Sequence, residues 1–94
     1  MQTLLVRMSI DPARVDETAR HLREDVVQWA TRQPGFVSGH WLVSEDRTCG
    51  LGIVAFDSEQ SALKAAAGPK SYRRDGTRPW NVEEVTLFTE VASA

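Results

Sequence analysis

Two polar side chains inside otherwise apolar segments could carry acid–base or anion-binding chemistry. Arg7 is a permanent charge in LLVRMSI, where its guanidinium could bind a carboxylate or enolate of a ligand. His40 lies in FVSGHWLV and could act as a general base or acid near neutral pH. Arg7 is expected to point towards a pocket on the helix side of the sheet. The alternatives are an ion pair of Arg7 with a carboxylate such as Glu84, or a charge reaching the sheet's end, and a hydrogen-bonded core or interface role for His40.

A basic segment, residues 68–80 (GPKSYRRDGTRPW), concentrates positive charge in an acidic chain. Its charged residues are Lys70, Arg73, Arg74, Arg78 and Asp75. The segment's net charge of +3 leaves −5 for the remainder, because the whole chain carries −2. Such a separation of charge could steer an anionic ligand, with Arg73 and Arg74 as ligand-binding residues. The alternative is a solvated loop whose arginines pair with acidic surface groups of the same or a partner subunit.

Two aromatic residues of this segment could contact a flat ligand. Tyr72 offers a stacking surface and a proton donor. Trp80 could wall a pocket, or it could plug one end of a barrel. Trp29 is predicted to belong to the core stripe of a helix, and Trp41 to the core or a subunit interface.

Composition excludes several kinds of site. The single cysteine, Cys49, permits no internal disulfide, and with two histidines and no ligand spacing no metal site is expected. One short basic loop lacks the extended footprint of a nucleic-acid-binding protein. No apolar stretch approaches the roughly 18 residues that span a membrane, and the N-terminus lacks a basic leader. A cytoplasmic protein without a cofactor is therefore predicted.

The elements that must position these residues follow from hydrophobic periodicity in a single domain, 1–94. Strands are predicted at Gln2–Ile10, Phe36–Val43, Cys49–Phe56 and Val82–Val91, and helices at Pro12–Arg32 and from the Ser58 cap to Gly68-Pro69. This βαββαβ order predicts a ferredoxin-like α+β fold: a four-stranded antiparallel sheet with both helices on one face.

Alternation within these elements assigns side chains to faces. In the second strand, Val37, Trp41 and Val43 are predicted to lie opposite Phe36, His40 and Leu42. In the last strand, Val85, Leu87 and Val91 are predicted to lie opposite Val82 and Phe88. The second helix is predicted to bury Leu63, Ala66 and Ala67. The third strand places Gly50 and Gly52 on one face, which leaves room for something packed close to the backbone.

Three of the four strands are apolar on both faces, which is unusual for a two-layer domain. A sheet with one wet face alternates apolar and polar residues, whereas Leu4, Val6 and Met8 oppose Leu5, and Ile53 opposes Val54. An exposed apolar face of several hundred Å² is rare on a soluble monomer. The pattern therefore predicts a homodimer through the sheet face; the alternative is that the long loop covers that face.

The chain resembles the antibiotic-biosynthesis monooxygenase group of dimeric α+β barrel proteins. The resemblance rests on VRMSIDP, QPGFVSGHWL and GLGIVAFDSEQSALKAAAGP, and it spans nearly the whole chain. It implies that two sheets pack face to face as a barrel, with a pocket in each subunit between the sheet and its own helices. Some members of this group oxidise polycyclic aromatic compounds with O₂ and no cofactor, and others bind and degrade haem.

For the haem-degrading members of this group, the resemblance implies an Asn on the first strand, a Trp within the second helix and a haem-ligating His just after that helix. The corresponding positions hold Arg7, Ala65 and Arg74, so haem degradation is not expected. The predicted function is a homodimer that binds a small anionic or aromatic ligand and resembles cofactor-independent monooxygenases acting on aromatic or enolisable substrates. His40, Arg7 and Tyr72 are its predicted catalytic residues. The alternative is a non-catalytic ligand-binding or interaction module of the same fold.

Overall fold

A computed structural model describes all residues of the chain, 1–94. Its strands are β1 Gln2–Ile10, β2 Phe36–Val43, β3 Cys49–Phe56 and β4 Trp80–Thr89. The first helix, α1, joins a 3-10 turn Pro12–Arg14, an α-helical part Val15–His21, a π-helical turn Leu22–Val26 and an α-helical part Val27–Thr31. The second helix, α2, is Glu59–Lys70. Neither helix has the length and apolar composition of a membrane span.

The four strands form one antiparallel sheet in the order β2-β3-β1-β4. The two hydrophobic clusters of the core join residues of β1 and β3 to buried residues of α2, and residues of β1 and β4 to Leu22 of α1. Both helices therefore cover the same face of the sheet. The predicted ferredoxin-like α+β arrangement is confirmed.

Local chemistry defines where each helix begins. Asp11 caps α1, since its carboxylate accepts a hydrogen bond of 3.0 Å from the backbone N–H of Ala13, and Pro12 occupies the first helical position. Ser58 caps α2 by accepting from the N–H of Ser61 at 3.1 Å. Both caps agree with the sequence prediction.

The helix-covered face of the sheet holds the core. Leu4, Met8, Val54 and Phe56 are all at most 3% exposed. The opposite face, called here the open face, carries the alternate residues. Pairing across the sheet forms one row of His40, Ile53, Leu5 and Thr86, and another of Leu42, Leu51, Arg7 and Glu84.

Two β-bulges change the predicted faces of the edge strands. The bulge in β2 lies between Phe36 and Ser38, so Phe36 pairs with Phe56 and Trp41 pairs with Gly52. Phe36 and Trp41 therefore share the helix-covered face, and the prediction that they oppose each other is wrong. An extra residue reverses the alternation beyond it.

The second bulge lies in β4, opposite the Arg7/Met8 step of β1. It places Val82 on the helix-covered face together with Val85 and Leu87, which corrects the predicted opposition of these residues. β4 also begins and ends earlier than predicted, at Trp80 and Thr89, so Val91 lies outside it and is 94% exposed.

Helix α2 buries Ala66 as predicted, but not the predicted Leu63 and Ala67. Ala62, Ala65, Ala66 and Pro69 are buried, whereas Leu63 is 49% exposed. Ala67 is exposed as well. Small side chains at three- and four-residue steps let the helix lie close to the sheet, which turns the larger Leu63 outward. Pro69 lies inside the last turn, so the helix ends one residue beyond the predicted Gly68-Pro69 stop.

Candidate functional site

A cavity of about 410 Å³ lies between the sheet and the two helices, within the usual size range of small-molecule sites. Ten of its fifteen lining residues are hydrophobic. The floor consists of helix-facing residues of three strands, among them Leu4, Val6, Val54 and Val82. The helices supply Val26 and Pro69. An apolar cavity of this kind favours a ligand with little polar surface.

Every tryptophan and tyrosine of the chain lines this cavity. The sequence contains three tryptophans and one tyrosine, and Trp29, Trp41, Trp80 and Tyr72 all line the wall. Tyr72 stacks on Trp80 with the ring centroids 5.4 Å apart and the ring planes 26° apart. Aromatic faces contact flat ligands through offset stacking. The arrangement suits a planar ring system.

Two glycines make room for these tryptophans. A Cβ at Gly52 would lie 3.0 Å from Nε1 of Trp41, and a Cβ at Gly68 would lie 2.7 Å from Cζ2 of Trp29. Trp41 therefore lies across β3 because its cross-strand partner has no side chain. Trp29 lies against α2 for the same reason, so both rings form wall rather than interior core.

Polar groups gather at the mouth of the cavity. His21 and Arg78 line a recess whose other residues also line the cavity: Asp25, Val26, Ser71, Tyr72 and Trp80. Asp25 and Val26 belong to the π-helical turn of α1. Such turns widen a helix by one residue and recur at functional sites. The mouth thus combines groups that accept protons with a fixed positive charge.

Arg78 organises the basic segment around the mouth. Its Nε donates to the Trp80 carbonyl at 2.8 Å, and its Nη2 donates to the Arg73 carbonyl at 2.8 Å and to Oδ1 of Asn81 at 3.0 Å. Its guanidinium also lies 5.1 Å from the ring centroid of Tyr72 and 5.2 Å from that of Trp80. The segment is held by the protein's own contacts.

Asp75 and Asn81 hold the tip of the same segment. Asp75 accepts from the backbone N–H of Thr77 at 2.9 Å and from its hydroxyl at 2.7 Å, and these bonds hold the pKa of the Asp75 carboxyl below its ordinary value of 3.8. Buried Asn81 accepts from the Asp75 N–H and donates to the Asp75 carbonyl. The turn is therefore tied to β4.

The other arginines of the segment lie outside the cavity wall. Arg74 pairs with Glu83, and this guanidinium, followed by a hydrogen bond from Ser9, lowers the pKa of the Glu83 carboxyl. For Arg74, the alternative of an arginine paired with an acidic surface group of the same subunit is therefore the one observed. Arg73 is exposed. Neither Arg73 nor Arg74 reaches the cavity, and their ligand-binding role remains a prediction.

Arg7 and His40 lie on the open face, away from the cavity. The expected helix-side position of Arg7 is wrong: its row partner is Glu84, whose Oε1 lies 3.3 Å from Arg7 Nε. The alternative of an ion pair with Glu84 is confirmed. His40 is exposed and pairs with Ile53. Because both faces of β1 are apolar, alternation alone does not say which face meets the helices.

Tyr72 and Trp80 are the predicted site residues that the structure brings together at the cavity. Sequence reasoning missed His21 and Asp25, which are four residues apart and therefore share a side of α1.

Trp29, predicted as core, does pack against a core cluster, and it lines the cavity as well. The available signal was the presence of glycines where two of the tryptophans pack, Gly52 against Trp41 and Gly68 against Trp29.

The cavity wall does not fit a haem. Haem iron takes an axial His, Cys, Met or Tyr ligand. The wall offers Met8, which is 3% exposed in the core, and Tyr72, which stacks on Trp80, while His21 lies in the recess at the mouth and not in the wall. Neither Arg7, Ala65 nor Arg74 lines the cavity. No haem chemistry follows from these residues.

Comparison with known proteins shows the fold. No protein-family model matches the chain, and no curated protein matches it. In structure it is similar to a monooxygenase from the gene ActVA-Orf6 of Streptomyces coelicolor in complex with nanaomycin D, with 18% identity over 99% of this chain and 89% of that one and a TM-score of 0.65.

Two further solved structures extend this comparison. SnoaB, a cofactor-independent oxygenase of Streptomyces nogalater, has 20% identity over 98% of this chain and 94% of its own, with a TM-score of 0.61. The haem degrader MhuD of Mycobacterium tuberculosis, with two haems bound, has 12% identity over 100% and 99%, with a TM-score of 0.76. The chain has the fold of antibiotic-biosynthesis monooxygenases.

Proposed function

We propose that the protein binds a flat, enolisable aromatic compound in this cavity and oxidises it with O₂ without a cofactor. The observation that carries the proposal is the convergence of Trp29, Trp41, Trp80 and Tyr72 on one apolar cavity of about 410 Å³. Such a wall binds planar rings and excludes water from them.

The similarity in fold also supports an oxygenase that acts on a flat ligand. One structure of this fold holds nanaomycin D and is a monooxygenase, and another is a cofactor-independent oxygenase. A haem degrader shares the fold as well. Because fold does not select function, the choice among these rests on the cavity wall, which suits a planar organic ligand and does not fit a haem.

The reaction requires a substrate anion that passes electrons to O₂. A ring CH₂ that is conjugated to a carbonyl through the flanking aromatic rings loses a proton as the ketone enolises, and the carbanion carbon binds O₂. Loss of water then leaves a carbonyl, so that CH₂ and O₂ become C=O and H₂O and the substrate supplies all four electrons. At the mouth, the imidazole of His21 and the carboxylate of Asp25 are placed to accept the proton, and the fixed charge of Arg78 favours the anion.

A second copy of the chain is proposed to cover the open face. Leu5, Leu51 and Ile53 are only half-buried there, and Leu42 and Phe88 are 50% and 51% exposed. The predicted dimer would remove this contiguous apolar surface from water. In it, Arg7 and His40 would belong to the interface.

A ligand-binding module without turnover is the second candidate. One observation favours it: two of the predicted catalytic residues, Arg7 and His40, lie outside the cavity, and the charge of Arg7 is paired with Glu84. Binding would then use the same aromatic wall without oxygen chemistry.

Anthrone, a flat tricyclic ketone that enolises, is a suitable probe. Tryptophan fluorescence titration under argon measures binding, and an oxygen electrode together with product analysis measures turnover in air. We expect binding under argon and oxygen uptake above the enzyme-free rate, with anthraquinone as product. The variant Trp29→Ala, which removes one wall, should weaken binding, whereas Leu63→Ala on the solvent side of α2 should not.

The outcomes separate the candidates. Oxygen-dependent turnover supports the oxygenase. Binding with no oxygen uptake above background supports the ligand-binding module and refutes the oxygenase. No quenching of tryptophan fluorescence at saturating anthrone would refute both.

A further inference from the structure

We infer that the recess at the cavity mouth is a subsite for an uncharged, polyhydroxylated substituent, a sugar, carried by the flat ligand. The inference rests on the proposed binding of an aromatic compound in the cavity and specifies that compound further. The ligand is then an aromatic glycoside, whose ring system lies on the tryptophan wall and whose sugar lies in the recess.

The recess is continuous with the cavity and similar to it in size. Its volume is about 460 Å³, against about 410 Å³ for the cavity. Every residue that lines the recess also lines the cavity, except His21 and Arg78. Tyr72, which lines both spaces, is 46% exposed. A ring system on the aromatic wall can therefore extend a substituent from the cavity into the recess.

The lining of the recess is more polar than that of the cavity. Ten of the fifteen residues that line the cavity are hydrophobic, but only three of the seven that line the recess. The recess thus adds a second binding space of different chemistry to the first. An apolar space that opens into a polar one suits a ligand with an apolar body and a polar group at one end.

Two opposite charges line the recess without pairing. Asp25 is exposed, and neither its carboxylate nor the Arg78 guanidinium takes part in an ion pair of the protein. Arg78 is held by other groups, because its Nε and Nη2 donate to the carbonyls of Trp80 and Arg73 and to the Asn81 side chain. Its Nη1 has no bond within the protein. The recess therefore offers an acceptor on Asp25 and donors on Arg78 that do not satisfy each other.

This combination favours an uncharged ligand group over an anion or a cation. A carboxylate would be attracted by Arg78 and repelled by Asp25, and an ammonium group would be attracted by Asp25 and repelled by Arg78. A hydroxyl both donates and accepts, so it can bond to either residue. Hydrogen bonds to charged partners are also stronger than those between neutral groups.

A sugar meets this requirement better than a single hydroxyl does. Several hydroxyls on one ring can bond to the carboxylate and to the guanidinium at the same time, and a preformed ring loses little freedom on binding. Asp25 would then hold the sugar, which leaves His21 as the proton acceptor of the proposed oxidation.

Four derivatives of 2-naphthol that differ only in the substituent on oxygen test the inference. The substituents are β-glucopyranosyl, which is uncharged and hydroxylated, methyl, carboxymethyl, which is anionic, and 2-aminoethyl, which is cationic. Isothermal titration calorimetry measures their affinities for the native protein, for Asp25→Ala and for Glu24→Ala. Glu24 provides the matched control, because it is exposed, neighbours Asp25 in α1 and lines neither space. Saturation-transfer difference NMR shows which protons of the glucoside contact the native protein.

The glucoside should bind most tightly of the four. Its affinity should exceed that of the methyl ether by about tenfold, the lower end of what one hydrogen bond to a charged group contributes. Asp25→Ala should remove most of this advantage and change the affinity for the methyl ether little, whereas Glu24→Ala should change neither. Saturation should reach the sugar protons as well as the naphthyl protons.

The results that would overturn the inference are distinguishable. Tightest binding of the carboxymethyl or the aminoethyl ether would make the recess an anion or a cation site. A glucoside that binds no better than the methyl ether, that shows no saturation of its sugar protons, or that Asp25→Ala weakens no more than the methyl ether would mean that the recess holds no sugar. In each of these cases aromatic binding in the cavity stands.

If none of the four probes binds, the cavity does not take aromatic compounds, and the proposed function fails together with this inference. The order of affinities and the saturation of the sugar protons are measured on the native protein, so they decide the point even if Asp25→Ala folds poorly.

Discussion

Replacing Gly52 by alanine should reshape the ligand cavity through Trp41. The new Cβ would lie 3.0 Å from Nε1 and 3.2 Å from Cδ1 of Trp41, so the ring must give by a few tenths of an ångström, and free space lies on its cavity side. Overpacking costs about 1–3 kcal/mol, and removing a strand glycine recovers about 0.5–1 kcal/mol, so the free energy of unfolding should fall by about 0 to 2.5 kcal/mol.

Gly52→Ala should also weaken ligand binding. A displaced Trp41 loses its stacking geometry with a flat ligand, and one aromatic pair is worth about 0.5–1.5 kcal/mol beyond area, so affinity for anthrone should fall by about 2- to 12-fold. The added methyl group also takes space comparable to a water molecule, about 30 Å³, from the cavity.

Gly50→Ala is the matched control. It lies on the same face of the same strand, and its Cβ would meet Cδ1 of Ile10 at 2.9 Å and Cε of Met8 at 3.2 Å, both flexible side-chain ends. Gly50 itself does not line the cavity, and no tryptophan is among its neighbours. Urea titrations should show similar losses of stability for both variants, whereas fluorescence titration with anthrone should show weaker binding for Gly52→Ala alone. Equal affinities in the two variants would refute the role assigned to Trp41.

Three further predictions concern the core, the open face and the basic segment. Phe56→Ala removes a side chain that is 0% exposed and should lower the free energy of unfolding by about 3–5 kcal/mol in urea titrations. Leu63→Ala, at a half-exposed position, should lower it by less than about 1 kcal/mol. Equal losses in the two variants would contradict the assigned core. Ile53→Glu should convert the proposed dimer to a monomer in light scattering after size exclusion, whereas Leu63→Glu should not; a native protein that is already monomeric at micromolar concentration refutes the dimer. The pKa of Asp75 is lowered by its hydrogen bonds from Thr77, so the stability that these bonds contribute is present above pH 3.8 and is lost as the pH falls through the pKa of folded Asp75. Near-ultraviolet circular dichroism of the Tyr72 stack should therefore change in that acid range. The Asp75→Asn variant should not show this change.

The elements of the fold were predictable because their signals are local. The caps at Asp11 and Ser58 and the alternation of β1 and β3 depend on neighbours in the sequence, and the structure agrees with all four. The bulges in β2 and β4 were not predicted, because an extra residue in a strand depends on its cross-strand partners.

The site was predictable only in part, for a related reason. Tyr72 and Trp80 are the two aromatic residues of the basic segment, which made them predictable, and both line the cavity. The position of Arg7 required knowing which apolar face of β1 meets the helices, which period-two alternation does not contain. His21 and Asp25 were missed because a helical pattern does not show where the helix passes a cavity.

The π-helical turn of α1 gives the orientation of Trp29 a particular origin. Leu22–Val26 contains an additional residue relative to an α-helical path, and Trp29 follows it. An α-helix advances about 100° per residue, so the count of residues in this turn sets the direction in which every later side chain of α1 points. The direction in which the Trp29 ring points therefore depends on the number of residues in this turn as well as on the contacts of the ring. A single deletion within the turn would therefore rotate Trp29 away while leaving its sequence neighbours unchanged.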